Sequence, residues 1–447
     1  MKIFKHIYKY YDKYLGEKIL PHLEILKHNE KLSKEELNNL VLQKLKTLIK
    51  HARENSQYYK NLFAAHGITE DEIRSLQDLK KIPITTKDMV KRSAEIMVSQ
   101  NLADRIMESF TTGGAGIPLK FYTDLHKEFM IELNRTRGRS WLGVDFDSHI
   151  LGFRYRKKIN PLKAGFIFRR NIRDIQINRD IILDDKIIVR YLNFMNKFQP
   201  ELIYSRPSFL YILADYIINK NFPLVLKDLK YLVYTSEMLV PNERKYIEKA
   251  FKTKVVEEYS AFDGGFLGHS CKFENLHIPL DHVILEVIDI KTGKLIPAHE
   301  TQEGEIIVTN LDGYGMPLIR YKIEDVGKIF YKDCACGLPF PYLKLTAASS
   351  ADLLYDENKK PINGLRLMSA FAKIDGIKKF TIIQKKDLNI KINIVKDPFF
   401  EYQNIDLIIN KFKKVLGAKI DLEIDFITDL EASEEKFKWI KSEVDIT

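Results

Sequence analysis

The chain of 447 residues is 45% hydrophobic and 30% charged, a composition typical of a folded globular protein with room for two or three domains. No stretch reaches the roughly 18 apolar residues of a membrane-spanning helix, and lysines interrupt the N-terminal apolar residues where a secretion signal would be continuous. We therefore expect a cytoplasmic protein without a membrane span. The net charge of +10 would suit a nucleic acid, but the lysines are scattered, so no nucleic-acid partner is expected.

The predicted elements change character twice along the chain. Residues 1–95 are predicted to be helical, because leucine and isoleucine recur at helical spacing around 40–49 and Pro83 closes the segment. From about 105 to 345, β-branched runs such as 229–236 and 254–260 alternate with helical patterns such as 208–220. This alternation favours an α/β fold with a largely parallel sheet.

Later strands follow one another more closely. The runs at 283–290 and 304–310 are separated by turn residues, which favours antiparallel hairpins or a barrel. After about residue 350, three β-rich runs and one amphipathic helix indicate a small α+β unit. These runs lie at 380–384, 388–395 and 419–427, with the helix at 405–417.

A glycine-rich segment, TTGGAGIP, begins at Thr111. Its exposed backbone N–H groups and threonine hydroxyls could surround phosphate oxygens, although a glycine-rich hairpin would have the same composition. It is not a Walker A loop, because no Gly-Lys-Ser/Thr follows. The expected phosphate-binding residues are Thr111, Thr112, Gly113, Gly114, Ala115 and Gly116.

This loop resembles the phosphate loop of the adenylate-forming enzyme superfamily, and the segment before it, residues 51–89, resembles the phenylacetate-CoA ligase-like branch. Further motifs follow in the family's order, so the resemblance covers most of the chain. It implies a large N-terminal adenylation domain at 1–347 and a small mobile C-terminal domain at 348–447. It also implies ATP and Mg²⁺ as cofactors, a carboxylic acid as substrate, and Thr112 and Lys436 as catalytic residues.

The resemblance assigns roles around the nucleotide. Ser236 and Glu237 would pass beside the adenine, although Ser236 could instead cap the following helix. In EEYSAFD, Tyr259 would stack on the adenine and Asp263 would help to hold Mg²⁺. Here Ser260 and Asp263 stand where the family has Gly and Glu; the alternative is a strand end with an acidic turn.

RYKIED supplies the expected ribose contact, Asp325, whose two carboxylate oxygens suit a diol, while Glu324 replaces the family's Gly. Arg320 could touch phosphate or pair with a carboxylate behind the site.

The hinge and the C-terminal tail depart from the family. Asp352 retains the hinge aspartate expected near the nucleotide, but Ser349 replaces an arginine, and loss of that charged hydrogen bond would cost about 1.5–3 kcal/mol. Lys436 fits the tail lysine that contacts the carboxylate and α-phosphate, with Lys438 as the alternate and Glu435 in place of Gly. A solvated lysine on a terminal helix is the other interpretation.

All three cysteines of the chain fall in two short segments. Cys271 and His277 form C-x5-H, and Cys334 and Cys336 form C-x-C. Three thiolates and one imidazole suit a closed structural zinc site, although the spacing is not that of a zinc finger, and reduced core cysteines remain the alternative.

We therefore expect ATP-dependent acyl-adenylate formation, followed by transfer to a thiol such as coenzyme A. Two alternatives stay open: an acyl-protein synthetase-type transfer to a protein, amine or sugar acceptor, as in relatives from capsular polysaccharide clusters, or a nucleotide-binding protein without catalysis. Residues around Trp141, 204–207 and 262–266 are expected to form the acyl pocket, although aromatic residues suit a plain core equally. The sequence indicates neither the acid nor whether the chain forms a homodimer.

Overall fold

The computed structural model describes residues 19–110, 119–145, 148–156, 167–169, 172–178, 185–239, 241–261, 263–297, 302–347, 353–363, 367, 371, 374, 376–396, 398, 400–428 and 440–444. Within these ranges, no helix has the length and apolar character needed to cross a membrane.

Among the described residues, the segment from 19 to 97 is largely helical, as predicted. The Ser33 hydroxyl caps α2 by accepting from the Glu36 N–H, and the Glu36 carboxylate accepts in return from the Ser33 N–H at 2.9 Å. One face of α2 is buried, from Leu37 to Ala52. The helices are α1 (Ile19–Asn29), α2 (Lys34–Asn55), α3 (Gln57–His66) and α4 (Lys87–Met97), with 3-10 turns at Leu76–Lys81 and Gln100–Arg105.

A β-hairpin follows, formed by β1 (Ile106–Phe110) and β2 (Lys120–Asp124), which pair antiparallel. The glycine-rich segment joins these two strands. Asp124 ends β2 and caps α5 (Leu125–Ser140) by accepting from the Lys127 N–H at 2.8 Å.

The central sheet has twelve strands in the order β11-β12-β13-β14-β10-β9-β8-β7-β6-β3-β5-β4. Strands β5, β3, β6, β7 and β8 run parallel, and from β8 through β9 to β11 every pairing is antiparallel. The prediction of parallel and antiparallel parts is confirmed, but both belong to one continuous sheet. The strands are β3 (Ile150–Arg156), β4 (Ile167–Arg169), β5 (Ile172–Asn178), β6 (Leu202–Ser205), β7 (Tyr231–Tyr234), β8 (Lys254–Ala261), β9 (Gly265–Ser270), β10 (Leu276–His277), β11 (Val283–Ile288), β12 (Gly304–Asn310), β13 (Tyr321–Phe330) and β14 (Tyr342–Ala347).

The parallel strands are buried on both faces. Ile203, Leu232 and Val255 pack in one apolar cluster with the crossover helices, and their chain neighbours pack in a second cluster on the opposite face. This explains why these strands are continuous apolar runs without alternation. The crossover helices are α6 (Asp185–Phe198), α7 (Pro207–Asn219) and α8 (Pro241–Phe251).

The C-terminal unit has its own four-stranded sheet, in the order β19-β18-β17-β20, and its own apolar core. Its elements match the predicted α+β unit. They are β15 (Leu353–Tyr355), β16 (Pro361–Asn363), β17 (Ile377–Gln384), β18 (Ile390–Lys396), α9 (Asn404–Leu416), β19 (Leu422–Phe426) and β20 (Ile440–Ser442).

Candidate nucleotide site and metal centre

The candidate nucleotide residues lie where the parallel strands end. Strands β6, β7 and β8 all have their carboxyl ends at the same edge of the sheet, which is where open α/β sheets bind ligands. Ser236 follows β7 by two residues, and Tyr259 lies near the end of β8.

Tyr259, expected at the adenine, and Asp325, expected at the ribose, contact each other directly. Two residues of one nucleotide site are expected to lie close together. The Tyr259 hydroxyl donates a hydrogen bond to Asp325 Oδ2 at 2.6 Å. Strands β8 and β13 are four steps apart in the sheet, which would be about 19 Å in a flat arrangement. The contact therefore requires the antiparallel half of the sheet to curl strongly.

Asp263 lies in the turn between β8 and β9 and is buried. The Tyr321 hydroxyl donates to its Oδ2 at 2.6 Å, the Gly264 N–H donates to its Oδ1 at 3.1 Å, and the Lys127 ammonium donates to its carbonyl at 2.8 Å. Each carboxylate oxygen keeps a second lone pair. Asp263 can therefore serve as one hard oxygen ligand for Mg²⁺, with phosphates and water completing the shell.

Ser236 is exposed and has a left-handed backbone, with φ of 70°. Helix α8 begins at Pro241, so Ser236 lies too far upstream to be its N-cap, and that alternative is wrong. Glu237 forms an ion pair with Arg206, 3.7 Å away. The strained turn therefore positions Ser236 at the sheet edge where the adenine contact is expected.

Arg320 points into the protein. Its guanidinium donates two hydrogen bonds to Glu286, at 2.9 and 3.0 Å, and another to the Ile82 carbonyl at 2.6 Å. The side chains of Arg320 and Glu286 are both nearly buried. The structure thus favours the second of the two predicted roles, a pairing behind the site, over the phosphate contact.

Several predicted site residues lie outside the described residues. They are the loop 111–118, Phe262, Ser349 and Asp352 of the hinge, and Glu435, Lys436 and Lys438 of the tail. Their assignments stay predictions.

The four predicted zinc ligands come together. The ligand atoms of Cys271, His277, Cys334 and Cys336 all lie within 4.8 Å of one another. Cys271 Sγ and Cys334 Sγ are 3.8 Å apart, and Cys336 Sγ is 3.2 Å from His277 Nε2. A tetrahedral zinc with bonds of about 2.3 Å to sulfur spaces its sulfur ligands by about 3.7 Å, so these residues fit the ion.

The surroundings of the four residues also suit a metal. His277 Nδ1 lies 2.9 Å from the Phe340 carbonyl, which holds the proton on Nδ1 and turns Nε2 toward the thiols. The Asn275 amide donates to Cys334 Sγ at 3.1 Å. The Cys271–Cys334 sulfur distance is far longer than the roughly 2.05 Å of a disulfide.

Trp141, an expected acyl-pocket residue, packs beside this cluster. Its ring packs edge-on against the His277 ring, with 6.0 Å between the ring centres. Its indole N–H donates to Glu30 at 2.9 Å. These contacts favour the plain-core interpretation of Trp141.

Sequence reasoning missed a buried polar group beneath Tyr259. Glu258 Oε1 accepts from Arg135 Nε at 2.9 Å and from the Tyr204 hydroxyl at 3.4 Å. Burial alone would raise the pKa of Glu258, but Arg135 and Arg139 lower it on balance. Two arginines four positions apart in α5 were the available signal, but nothing in the sequence pairs them with β8.

The fold defined by these elements is that of the adenylate-forming ligases. A 2-hydroxyisobutyryl-CoA ligase in the postadenylation state with R3-HIB-AMP matches with a TM-score of 0.76 at 15% identity, covering 93% of this chain and 92% of that chain. The same ligase in the thioesterification state with CoA matches with a TM-score of 0.59 at 15% identity, covering 94% and 92%.

At the sequence level, the chain is similar to phenylacetate-CoA ligases and to CapK. The phenylacetate-coenzyme A ligase of Aromatoleum evansii is 25% identical over 327 residues, 67% of this chain and 68% of that protein. Protein CapK of Staphylococcus aureus is 22% identical over 300 residues, 65% of this chain and 62% of that protein. Residues 354–443 match the family model of the CapK C-terminal domain. The predicted resemblance is confirmed, and the comparisons support an adenylate-forming ligase.

Proposed function

We propose that the protein activates a carboxylic acid with ATP and then transfers the acyl group to the thiol of coenzyme A. The observation that carries this is the contact between Tyr259 and Asp325 at the carboxyl ends of the parallel strands. The similarity to phenylacetate-CoA ligases supports the same chemistry.

In the first half-reaction, a carboxylate oxygen attacks the α-phosphorus of ATP, and the bond to pyrophosphate breaks. Asp325 would accept from the ribose hydroxyls, Tyr259 would stack on the adenine, and Ser236 and Glu237 would lie beside it. The loop from Thr111 to Gly116 and Lys436 would neutralise phosphate charge as it develops. Magnesium would neutralise further phosphate charge, and Asp263 would help to hold it.

In the second half-reaction, the thiol sulfur attacks the acyl carbon, the carbon–oxygen bond to AMP breaks, and the thiol proton is lost. The small C-terminal domain would rotate between the two steps, as the family resemblance implies. Asp352, at the predicted hinge, belongs to this proposal.

Zinc belongs to the proposal as a structural ion. Cys271, His277, Cys334 and Cys336 would occupy all four tetrahedral positions, which leaves no site for water or substrate. The ion would therefore stabilise the fold and take no part in the chemistry. A cytoplasmic location stays a prediction, and a homodimer stays an open alternative.

A screen for pyrophosphate release over a library of carboxylic acids, with and without coenzyme A, tests the function. We expect release that depends on an added acid and consumption of free thiol when coenzyme A is present. Acid-dependent release without thiol consumption would indicate another acyl acceptor. ATP binding without release for any acid would indicate a nucleotide-binding protein that does not catalyse.

A further inference from the structure

The buried polar group beneath Tyr259 contains atoms that find no hydrogen-bond partner in the part of the chain that the structure describes. Arg139 Nε, Glu258 Oε2 and Thr235 Oγ1 are buried and make no hydrogen bond within the described residues. All three side chains are more than nine-tenths buried. A buried polar atom without a partner is unfavourable, so native proteins pair such atoms with protein, water or ligand.

The pairing of the strands places these atoms together. Tyr204 and Val233 pair across β6 and β7 and pack in the same apolar cluster. Tyr234 pairs with Glu257, so the next residues, Thr235 and Glu258, lie side by side and face the Tyr204 side of the sheet.

Helix α5 covers the face of the sheet on which Tyr204, Thr235 and Glu258 lie. Arg135 lies against Glu258, and Arg139, one turn further along the helix, places its guanidinium 5.6 Å from the centre of the Tyr204 ring. One helix and three adjacent strands thus surround a buried patch that offers both donors and acceptors.

The position of this patch connects it to the chemistry. Glu258 immediately precedes Tyr259, whose hydroxyl contacts Asp325. A carboxylic acid that reacts at the α-phosphate of a nucleotide on Tyr259 has to extend its acyl part alongside the neighbouring residues. Thr235 and Glu258 directly precede Ser236 and Tyr259 at the carboxyl ends of β7 and β8, and the Glu258 side chain lies on the face of β8 opposite the Tyr259 ring. The acyl part would reach the patch by extending past this edge of the sheet.

The chemistry of the patch selects among acids. A hydroxyl group can donate to Glu258 Oε2 and accept from the Arg139 Nε–H at once, which satisfies two of the three unpartnered atoms. An ammonium group would face two arginines, and a second carboxylate would face Glu258. A purely apolar acyl group would cover these atoms without replacing their hydrogen bonds.

We infer that the protein acts on carboxylic acids that carry a hydroxyl on the acyl chain, held by Arg139, Thr235 and Glu258. This inference rests on the proposed function, because it concerns the acid that the same site activates. It distinguishes the site from one built for a plain aromatic or aliphatic acid.

The test is pyrophosphate release by the full chain with matched pairs of acids that differ by one hydroxyl, such as 3-hydroxybutanoate and butanoate, or mandelate and phenylacetate. We expect kcat/KM to be at least about tenfold higher for the hydroxylated member of a preferred pair, since a site built to bind a hydroxyl rejects the analogue without it. An amino acid and a dicarboxylic acid of similar length complete the panel.

Thr235→Val and Arg139→Met should reduce this preference to about threefold or less. Ser205→Ala is the matched control, because Ser205 Oγ is also buried and unpartnered but alternates with Tyr204 to the opposite face of β6. Thermal melting confirms that each variant is folded, and Thr235→Val, which keeps the side-chain shape, carries the test if Arg139→Met does not fold.

The outcomes separate the two proposals. Release with acids but no hydroxyl preference, or a preference for the amino acid or dicarboxylic acid, overturns this inference and leaves the proposed function intact. A preference that survives both variants overturns the residue assignment. No release with any acid overturns the proposed function and this inference with it.

Discussion

At the scale of single residues, the structure shows contacts between side chains that the sequence predicted only one by one. Asp325 and Tyr259 were expected at the ribose and the adenine, and they contact each other at 2.6 Å. Asp263 has a similar partner in Tyr321. Asp325 and Asp263 thus each accept a tyrosine hydroxyl already, which holds the carboxylate in a fixed orientation before a nucleotide binds.

Asp325→Ala should weaken ATP binding by at least about tenfold, because a charged acceptor for the ribose hydroxyls is lost. Calorimetric titration with ATP measures the change. The matched control is Tyr259→Phe, which removes the hydrogen bond to Asp325 but keeps the ring that stacks on adenine, and should change the affinity by less than about threefold. Unchanged affinity in Asp325→Ala would remove the ribose assignment.

At the scale of elements, two connections hold the curled half of the sheet. The Arg320–Glu286 pair joins the residue before β13 to β11 and to the carbonyl of Ile82. The Cys/His cluster joins the end of β9 and strand β10 to the loop between β13 and β14. Both connections lie behind the nucleotide residues, so they should affect stability before activity.

Glu286→Gln should destabilise the protein by about 3 kcal/mol, because it leaves the buried Arg320 charge without its partner. Urea denaturation measures this loss, and the affinity for ATP should stay unchanged. Arg92→Met, which breaks the exposed Arg92–Asp88 pair of α4, should cost less than about 1 kcal/mol. A large loss of ATP affinity in Glu286→Gln, without loss of stability, would instead favour the phosphate contact as the role of Arg320.

The zinc prediction also belongs to this scale. Untagged protein should contain about one zinc per chain after metal-replete expression, and Cys334→Ser should release the metal and lower the melting temperature, since a site with one thiolate fewer binds zinc more weakly. Elemental analysis and thermal melting give the two readouts. His277→Ala should likewise lower the zinc content, whereas His66→Ala, at an exposed histidine, is the control and should leave it unchanged. A zinc content near zero in the wild-type protein would make the cysteines ordinary core residues.

At the scale of the whole molecule, the two domains have to take different arrangements for the two half-reactions that we propose. The same CoA ligase matches this chain with a TM-score of 0.76 in its postadenylation state and 0.59 in its thioesterification state. The chain therefore resembles the fold of that ligase more closely in its postadenylation state than in its thioesterification state.

Lys436→Ala should slow adenylation far more than acyl transfer from a preformed acyl-adenylate, because its charge stabilises only the first transition state. Assays of pyrophosphate release and of thioester formation from the adenylate separate the two steps. Lys438→Ala is the control two residues away. Equal losses in both steps, or a larger loss for Lys438→Ala, would show that the role or the lysine is wrong.

The sequence by itself determined the elements whose signals are local. Helix α2 and the apolar runs of β7 and β8 follow from the periodicity of apolar residues, which acts within a few residues. The order of the motifs indicated the class of enzyme, and three cysteines with one histidine indicated zinc. These properties depend on residue type and spacing, which the sequence shows directly.

Only the tertiary structure decided which distant residues meet. The Tyr259–Asp325 contact depends on the curl of a continuous twelve-stranded sheet, and the inward turn of Arg320 depends on Glu286 in β11. The group around Glu258 arises because α5 packs over the ends of strands distant from it in sequence. Strand order, register and curvature set these contacts. All three are properties of the packed chain, because local spacing carries no information about which strand becomes a neighbour.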